Sequence, residues 1–208
     1  MLILASSSKS RKQLLKNADI QFIQLASSFD ESSIVEKNII NLASELSYSK
    51  AKNSLEKIEN SDFILNCDFS SLEILGCDSI FEFKGQAFGK PSNKEEAYQR
   101  WLLMSSNCGY LHTGHTILFC ELKNNMKEIV LKKEVREVIS SKITFANLQK
   151  EEIKNYVNSH EPLNCAGGFA LEGRGGKYIE RVDGCFSNVM GLSLPWLRKK
   201  LLNKGIYI

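Results

Sequence analysis

The sequence has no run of about 18 apolar residues, so it is not expected to carry a transmembrane helix. Its opening apolar block, Met1 to Ala5, is too short for a secretory signal, and polar residues follow at once. Six cysteines fall at 67, 77, 108, 120, 165 and 185 without a CxxC pair, which excludes zinc-ribbon spacing. Several of them lie in strand-like apolar runs, where cysteine acts as a small hydrophobe, so reduced core thiols in a cytoplasmic protein are expected. The net charge is only +3 and no basic tail or stripe occurs, which argues against a nucleic-acid partner. A Walker A motif and a G-x-S-x-G elbow are both missing, so P-loop and serine-hydrolase chemistry are not expected. His112 and His115 stand three apart in a strand-like run, which turns them to opposite faces and weighs against a zinc site with His160.

What is present describes a packed α/β protein. The 208 residues, 43% of them hydrophobic, suffice for one good-sized domain or two small lobes. Patterning predicts strands at 1–6, 21–26, 62–67, 73–83, 110–122, 128–145 and 177–182. Helical spacing predicts helices at 8–17, 39–58, 94–104, 147–159 (with Asn147 as N-cap) and 194–202. "GQAFGKPSN" at 85–93 reads as a turn and "KNNMK" as a hairpin connection. The fold expected is a mixed, partly antiparallel twisted sheet flanked by helices, in two lobes with a cleft between them.

Two stretches suggest phosphate chemistry. "LASSSKSRKQLL" places Ser6 to Ser8 and Arg11 at a strand–helix junction, where free N–H groups and the helix dipole suit an anion; a plain serine cap is the simpler reading. "LGCDSIF" places Asp78 among apolar neighbours, where an acid costs free energy unless paired, exposed or functional; the plain alternative is a strand-end turn residue. Asp30 and Glu31 in "FDESS" and Lys90 in "FGKP" complete a set suited to metal-assisted phosphate chemistry: carboxylates for the cation, cations for phosphate, and one acid for the proton of water. Asp68, in a similar "NCDFSS" stretch, fits a loop better, and Lys50 and Lys52 sit on a helix whose lysines would ordinarily face solvent.

In their order along the chain, "LASSSKSRKQLL", "FDE", "LSYSKAK", "LGCDSIFEFKGQAFGKP", "HTGHTIL", "EPLNCAGGFALEG" and "FSNVMGLSLPWL" resemble the motifs of the Maf family of nucleoside triphosphate pyrophosphatases, almost end to end. The resemblance implies a single Maf-like (Maf/ITPase-like) domain over 1–208 that cuts the α–β phosphoanhydride of a nucleoside triphosphate with a divalent metal, Mg²⁺ or Mn²⁺, and forms homodimers. It makes Asp78 the proton acceptor, has Ser8, Arg11, Lys50 and Lys90 bind the triphosphate, and gives Glu31, with Asp78, to the metal. Three departures, Ser10, Ser79 and Glu172, fall where Maf subgroups differ in base preference. The dTTP/UTP-cleaving group has Arg, Thr and Gln there, whereas "CAGGFALEG" matches the group that prefers 7-methyl-GTP. The stretch 66–73 looks like an insertion. The competing expectation is a non-catalytic, nucleotide-binding regulator of cell division on the same scaffold.

Overall fold

In the computed structural model, which describes residues 1–61, 69–123 and 128–203, the opening apolar run forms β1 (Leu2–Leu4). It lies between β2 (Phe22–Gln24) and β3 (Ser71–Phe83), parallel to both, with Ile3 opposite Ile23 and Ile74. A central parallel strand is covered on both faces, which is why its three residues are all apolar and all buried. The remaining strands are β4 (Gln86–Phe88), β5 (Cys108–Lys123), β6 (Glu128–Phe145) and β7 (Ile179–Asp183). Among the described residues, seven strands form a mixed sheet in the order β2-β1-β3-β5-β6-β7, with β4 antiparallel on β3 and β7 antiparallel on β6. The helices are α1 (Lys9–Asn17), α2 (Ile39–Glu59), α3 (Lys94–Met104), α4 (Lys150–Asn158), α5 (Phe186–Val189) and α6 (Leu194–Leu202). None of the described helices is long and apolar enough to cross a membrane.

The chain divides into two compact units. Unit 1 comprises Met1–Asp78, Gly114–Val138 and Trp196–Ile208; unit 2 comprises Ser79–Thr113 and Ile139–Pro195. The core of unit 1 is aliphatic, with Ile3, Leu55, Ile58, Leu72, Ile74 and Leu118 around Ala5 and Ala51. Its helix α2 can lie close on the sheet because two strand residues have no side chain. A Cβ on Gly76 would stand 2.1 Å from the Ser47 carbonyl oxygen, and one on Gly114 would stand 2.0 Å from that of Ala43. Unit 2 is built on rings: Phe81, Phe83, Trp101, Phe145, Tyr156, Phe169 and Tyr178 share one core. Several of these rings meet edge to face, as Trp101 does with Tyr156 at 5.1 Å and 88°.

The expected elements at 94–104, 128–145 and 194–202 match in full. Four expectations need correction. The turn at 85–93 contains β4, which folds back on β3. Helix α4 starts at Lys150 instead of 147, because Gln149 closes a capping box with Glu152 and the Leu148 N–H is taken by the Ser105 hydroxyl at 2.9 Å. Residues 71–73 of the supposed insertion are the start of β3, where Glu73 pairs with Leu2. Of the described cysteines, only Cys77 and Cys120 are buried, whereas Cys108 is exposed and Cys165 and Cys185 are half-buried; all five are free thiols. The strand expected at 62–67, Asp68, Cys67 and the hairpin connection 124–127 lie outside the described residues.

Candidate active site

The junction after β1 is built as the sequence suggests. Ser8 is the N-cap of α1, and its hydroxyl accepts the Arg11 N–H at 3.4 Å. Arg11 does not point to solvent: it is buried with Leu14 and Leu15, and its guanidinium donates to the buried Ser6 hydroxyl at 3.0 Å. Ser6 is held in turn by Gln24, whose amide donates to the Ser6 carbonyl at 2.8 Å. Ser10 sits half-buried in the first turn of α1. A buried guanidinium is costly to place, so the chain has fixed a cation beside a helix start that the helix dipole already makes positive.

Asp78 occupies the interior of β3, and the residue is 9% exposed; the turn reading of this acid is therefore wrong. Its Oδ1 accepts from the Lys50 ammonium, which also pairs with Glu31 Oε1 at 2.7 Å. Lys50 reaches β3 because α2 packs against Gly76, two residues before the acid. Lys52, two positions on, is exposed, so Asp78 marks out Lys50 among the helix lysines. Glu31 is delivered by a short 3-10 turn, Glu31–Ser33, preceded by a segment tied to α2: Ser54 donates to the Leu25 carbonyl and Lys57 to that of Ala26. The neighbouring acid Asp30 caps this turn, accepting from the Ser32 hydroxyl at 2.7 Å and the Ser32 N–H at 3.0 Å. Those two bonds, the hydroxyl first, hold the Asp30 carboxyl below the usual range. Of the two adjacent carboxylates, then, Asp30 is a cap and Glu31 belongs to the ion-pair cluster. The charges of Arg11, Asp78 and Lys50 all act on the Cys77 thiol. Burial is nevertheless the largest effect there and pushes the thiol up to about 12.

The other expected residues lie in unit 2, which opens with Ser79 directly after Asp78. The Ser79 hydroxyl is 2.9 Å from that of Thr113, and Thr113 donates to the Asn188 carbonyl at 3.1 Å. Lys90 is exposed in the turn after β4, and Glu172 is exposed in the Gly-rich segment. Both act through their charge on one thiol, that of Cys165. Burial raises its thiol to about 11, Glu172 and then Glu161 add to the rise, and Lys90 opposes it. Sequence reading missed Thr113 and Asn188, which support Ser79, and gave no role to Glu161.

The histidines have separate surroundings. His112 Nδ1 is 2.7 Å from the Ser140 hydroxyl and its Nε2 is 2.9 Å from Glu82, whereas His115 packs against Trp196 with ring centroids 4.8 Å apart. No group of three or more His, Cys, Asp or Glu among the described residues is arranged to hold a metal by protein ligands alone. The hard oxygen donors gathered at one place are the two carboxylates on Lys50.

The Maf-like protein family model matches residues 1–204. A protein of Prochlorococcus marinus (strain AS9601), named nucleoside triphosphate pyrophosphatase, is 58% identical over 97% of this chain and 99% of its own length. Proteins of the same name from Prochlorococcus marinus (strain NATL1A) and Synechococcus sp. (strain CC9605) are 44% and 42% identical, over 99% and 96% of this chain and 97% and 100% of their own lengths. A family match over nearly the whole chain, with relatives of 42–58% identity along its length, establishes that this chain belongs to the Maf-like protein family.

Proposed function

We infer that this chain is a nucleoside triphosphate pyrophosphatase. Water adds at the α-phosphorus, the α–β anhydride bond breaks, and the products are the nucleoside monophosphate and pyrophosphate. The observation that carries the reading is the convergence of Asp78 and Glu31 on Lys50. Asp78 is the proton acceptor: one oxygen is held by Lys50, and the other is left to take the proton of the attacking water. Lys50 offsets the cost of burying that carboxylate and, with Arg11, Lys90 and the Ser8 end of α1, supplies positive charge to the triphosphate. Cations fixed in advance need no rearrangement as charge develops on the phosphate oxygens.

The donor set fits a divalent cation. Mg²⁺ takes one or two carboxylates and fills its remaining positions with water and substrate phosphate oxygens, so two acids suffice. Glu31 and Asp78 would hold Mg²⁺ or Mn²⁺, which would polarise the phosphate oxygens and screen their charge. Ser10, Ser79 and Glu172 set base preference, and the carboxylate at 172 favours guanine, whose N1–H and 2-amino group are both donors. The setting is the cytoplasm, where the thiols stay reduced.

The test is pyrophosphate release with Mg²⁺ or Mn²⁺ from a panel of standard and modified nucleoside triphosphates. Release is expected, and Asp78→Asn should lower it by about 10²-fold or more in a folded protein. Retained turnover in that variant would remove Asp78 from the mechanism. Failure to turn over any triphosphate that the folded protein binds would instead favour the nucleotide-binding regulator.

A further inference from the structure

The segment that carries Glu172 has little regular structure to hold it, yet it is tied at both ends. At one end the Ala170 N–H donates to the Tyr156 hydroxyl at 3.4 Å. At the other, the Arg174 N–H donates to Glu161 Oε2 and the Gly175 N–H to Glu161 Oε1, both at 2.9 Å. Tyr156, in α4, closes the circuit by donating its hydroxyl to Glu161 Oε1 at 2.7 Å. One carboxylate therefore receives three donors, two from the segment and one from the helix behind it. The chain also passes close by: a Cβ on Gly173 would stand 2.4 Å from Glu161 Oε2. Glu172 projects from the middle of this clasp.

We propose that Glu161 is the positioning residue that fixes the Glu172 segment and thereby sets base selectivity; the proposal rests on the reading of Glu172 as the base-reading group. A carboxylate suits the place because it only accepts, and every group that meets it donates. Glutamine has the same shape but would turn an NH₂ group toward one of those donors. Burial raises the Glu161 carboxyl, but the Arg174 N–H, the Tyr156 hydroxyl, the Gly175 N–H and the Arg174 charge together leave it below its usual range. That direction accords with a carboxylate kept as an acceptor.

The experiment compares wild type with Glu161→Gln, Tyr156→Phe and Glu172→Ala, each checked for folding by circular dichroism. Amide exchange at Arg174 and Gly175, read by NMR, tests the clasp without reference to activity. It should speed up by about tenfold or more in Glu161→Gln, the size expected for loss of a charge-assisted hydrogen bond. The ratio of kcat/KM for guanine over pyrimidine triphosphates tests the consequence. It should fall in Glu161→Gln, and less in Tyr156→Phe, toward the ratio of Glu172→Ala, with kcat on the best substrate changed less than the ratio. If Glu161→Gln does not fold, Tyr156→Phe carries both readouts. Unchanged exchange overturns the clasp. Faster exchange with an unchanged ratio, where Glu172→Ala does alter it, overturns the selectivity role alone. An unchanged ratio in Glu172→Ala overturns the base-reading assignment, and the proposal with it.

Discussion

The two units solve the problem of placing a polar group by different means. Unit 1 places Asp78 and Lys50 through backbone proximity: an aliphatic core of modest side chains, a helix laid against Gly76 and Gly114, and an ion pair across the narrow space so formed. Unit 2 places Glu172 through bulk and a carboxylate: seven aromatic rings fill the space beneath irregular chain, and Glu161 ties that chain to α4. Regular elements can bring short side chains together directly. A loop has no ladder of its own to hold it, so its backbone N–H groups need a side chain to receive them.

The largest effect expected from pressing on this difference is in the aromatic core. Trp101 is fully buried, touches Phe145, Tyr156 and Tyr178, and donates its indole N–H to the Gly168 carbonyl at 2.9 Å. Trp101→Ala should cost about 3–5 kcal/mol in denaturant unfolding. A cost no greater than that of a surface change would show that the rings do not carry unit 2. A smaller effect with a sharper signature is expected of Gly76→Ala. Its methyl group would collide with the Ser47 carbonyl, so a loss of about 1–3 kcal/mol is expected. Because α2 carries Lys50, turnover should fall while the preference among bases stays unchanged. A shifted preference with intact turnover would break the division of labour drawn here.

The smallest effect is a pH dependence. The Glu161 carboxyl is held below its usual range when folded, so its contribution is complete above the unfolded value of about 4.3 and is lost as pH falls through the lower, folded value. Amide exchange at Arg174 and Gly175, corrected for its intrinsic pH dependence, should therefore lose protection only in that acid range. Loss of protection between pH 6 and 8 would point to a different titrating group.

The same contrast explains what could be read from the sequence. Asp78 was legible because an acid inside an apolar strand run needs a reason, and α2 because its apolar residues recur at helical spacing. Residue types alone do not choose Glu31 over Asp30, since "FDES" offers both acids; the family resemblance picked Glu31, and the turn gives the physical reason why Asp30 is taken up as its cap. Glu161 was illegible for a deeper reason. Two of its three partners are backbone N–H groups, which every residue but proline possesses, so no side-chain pattern marks them. The four short helical turns between Glu161 and Val189 were lost in the same way, because glycine-rich composition announces irregular chain without saying where it turns.

The chain passes from one unit to the other at 78/79, 113/114, 138/139 and 195/196. Neither unit is therefore a continuous stretch of polypeptide, and no fragment made by a single cut contains one whole unit and nothing of the other. It follows that neither unit can be replaced whole by that of a relative through a single crossover.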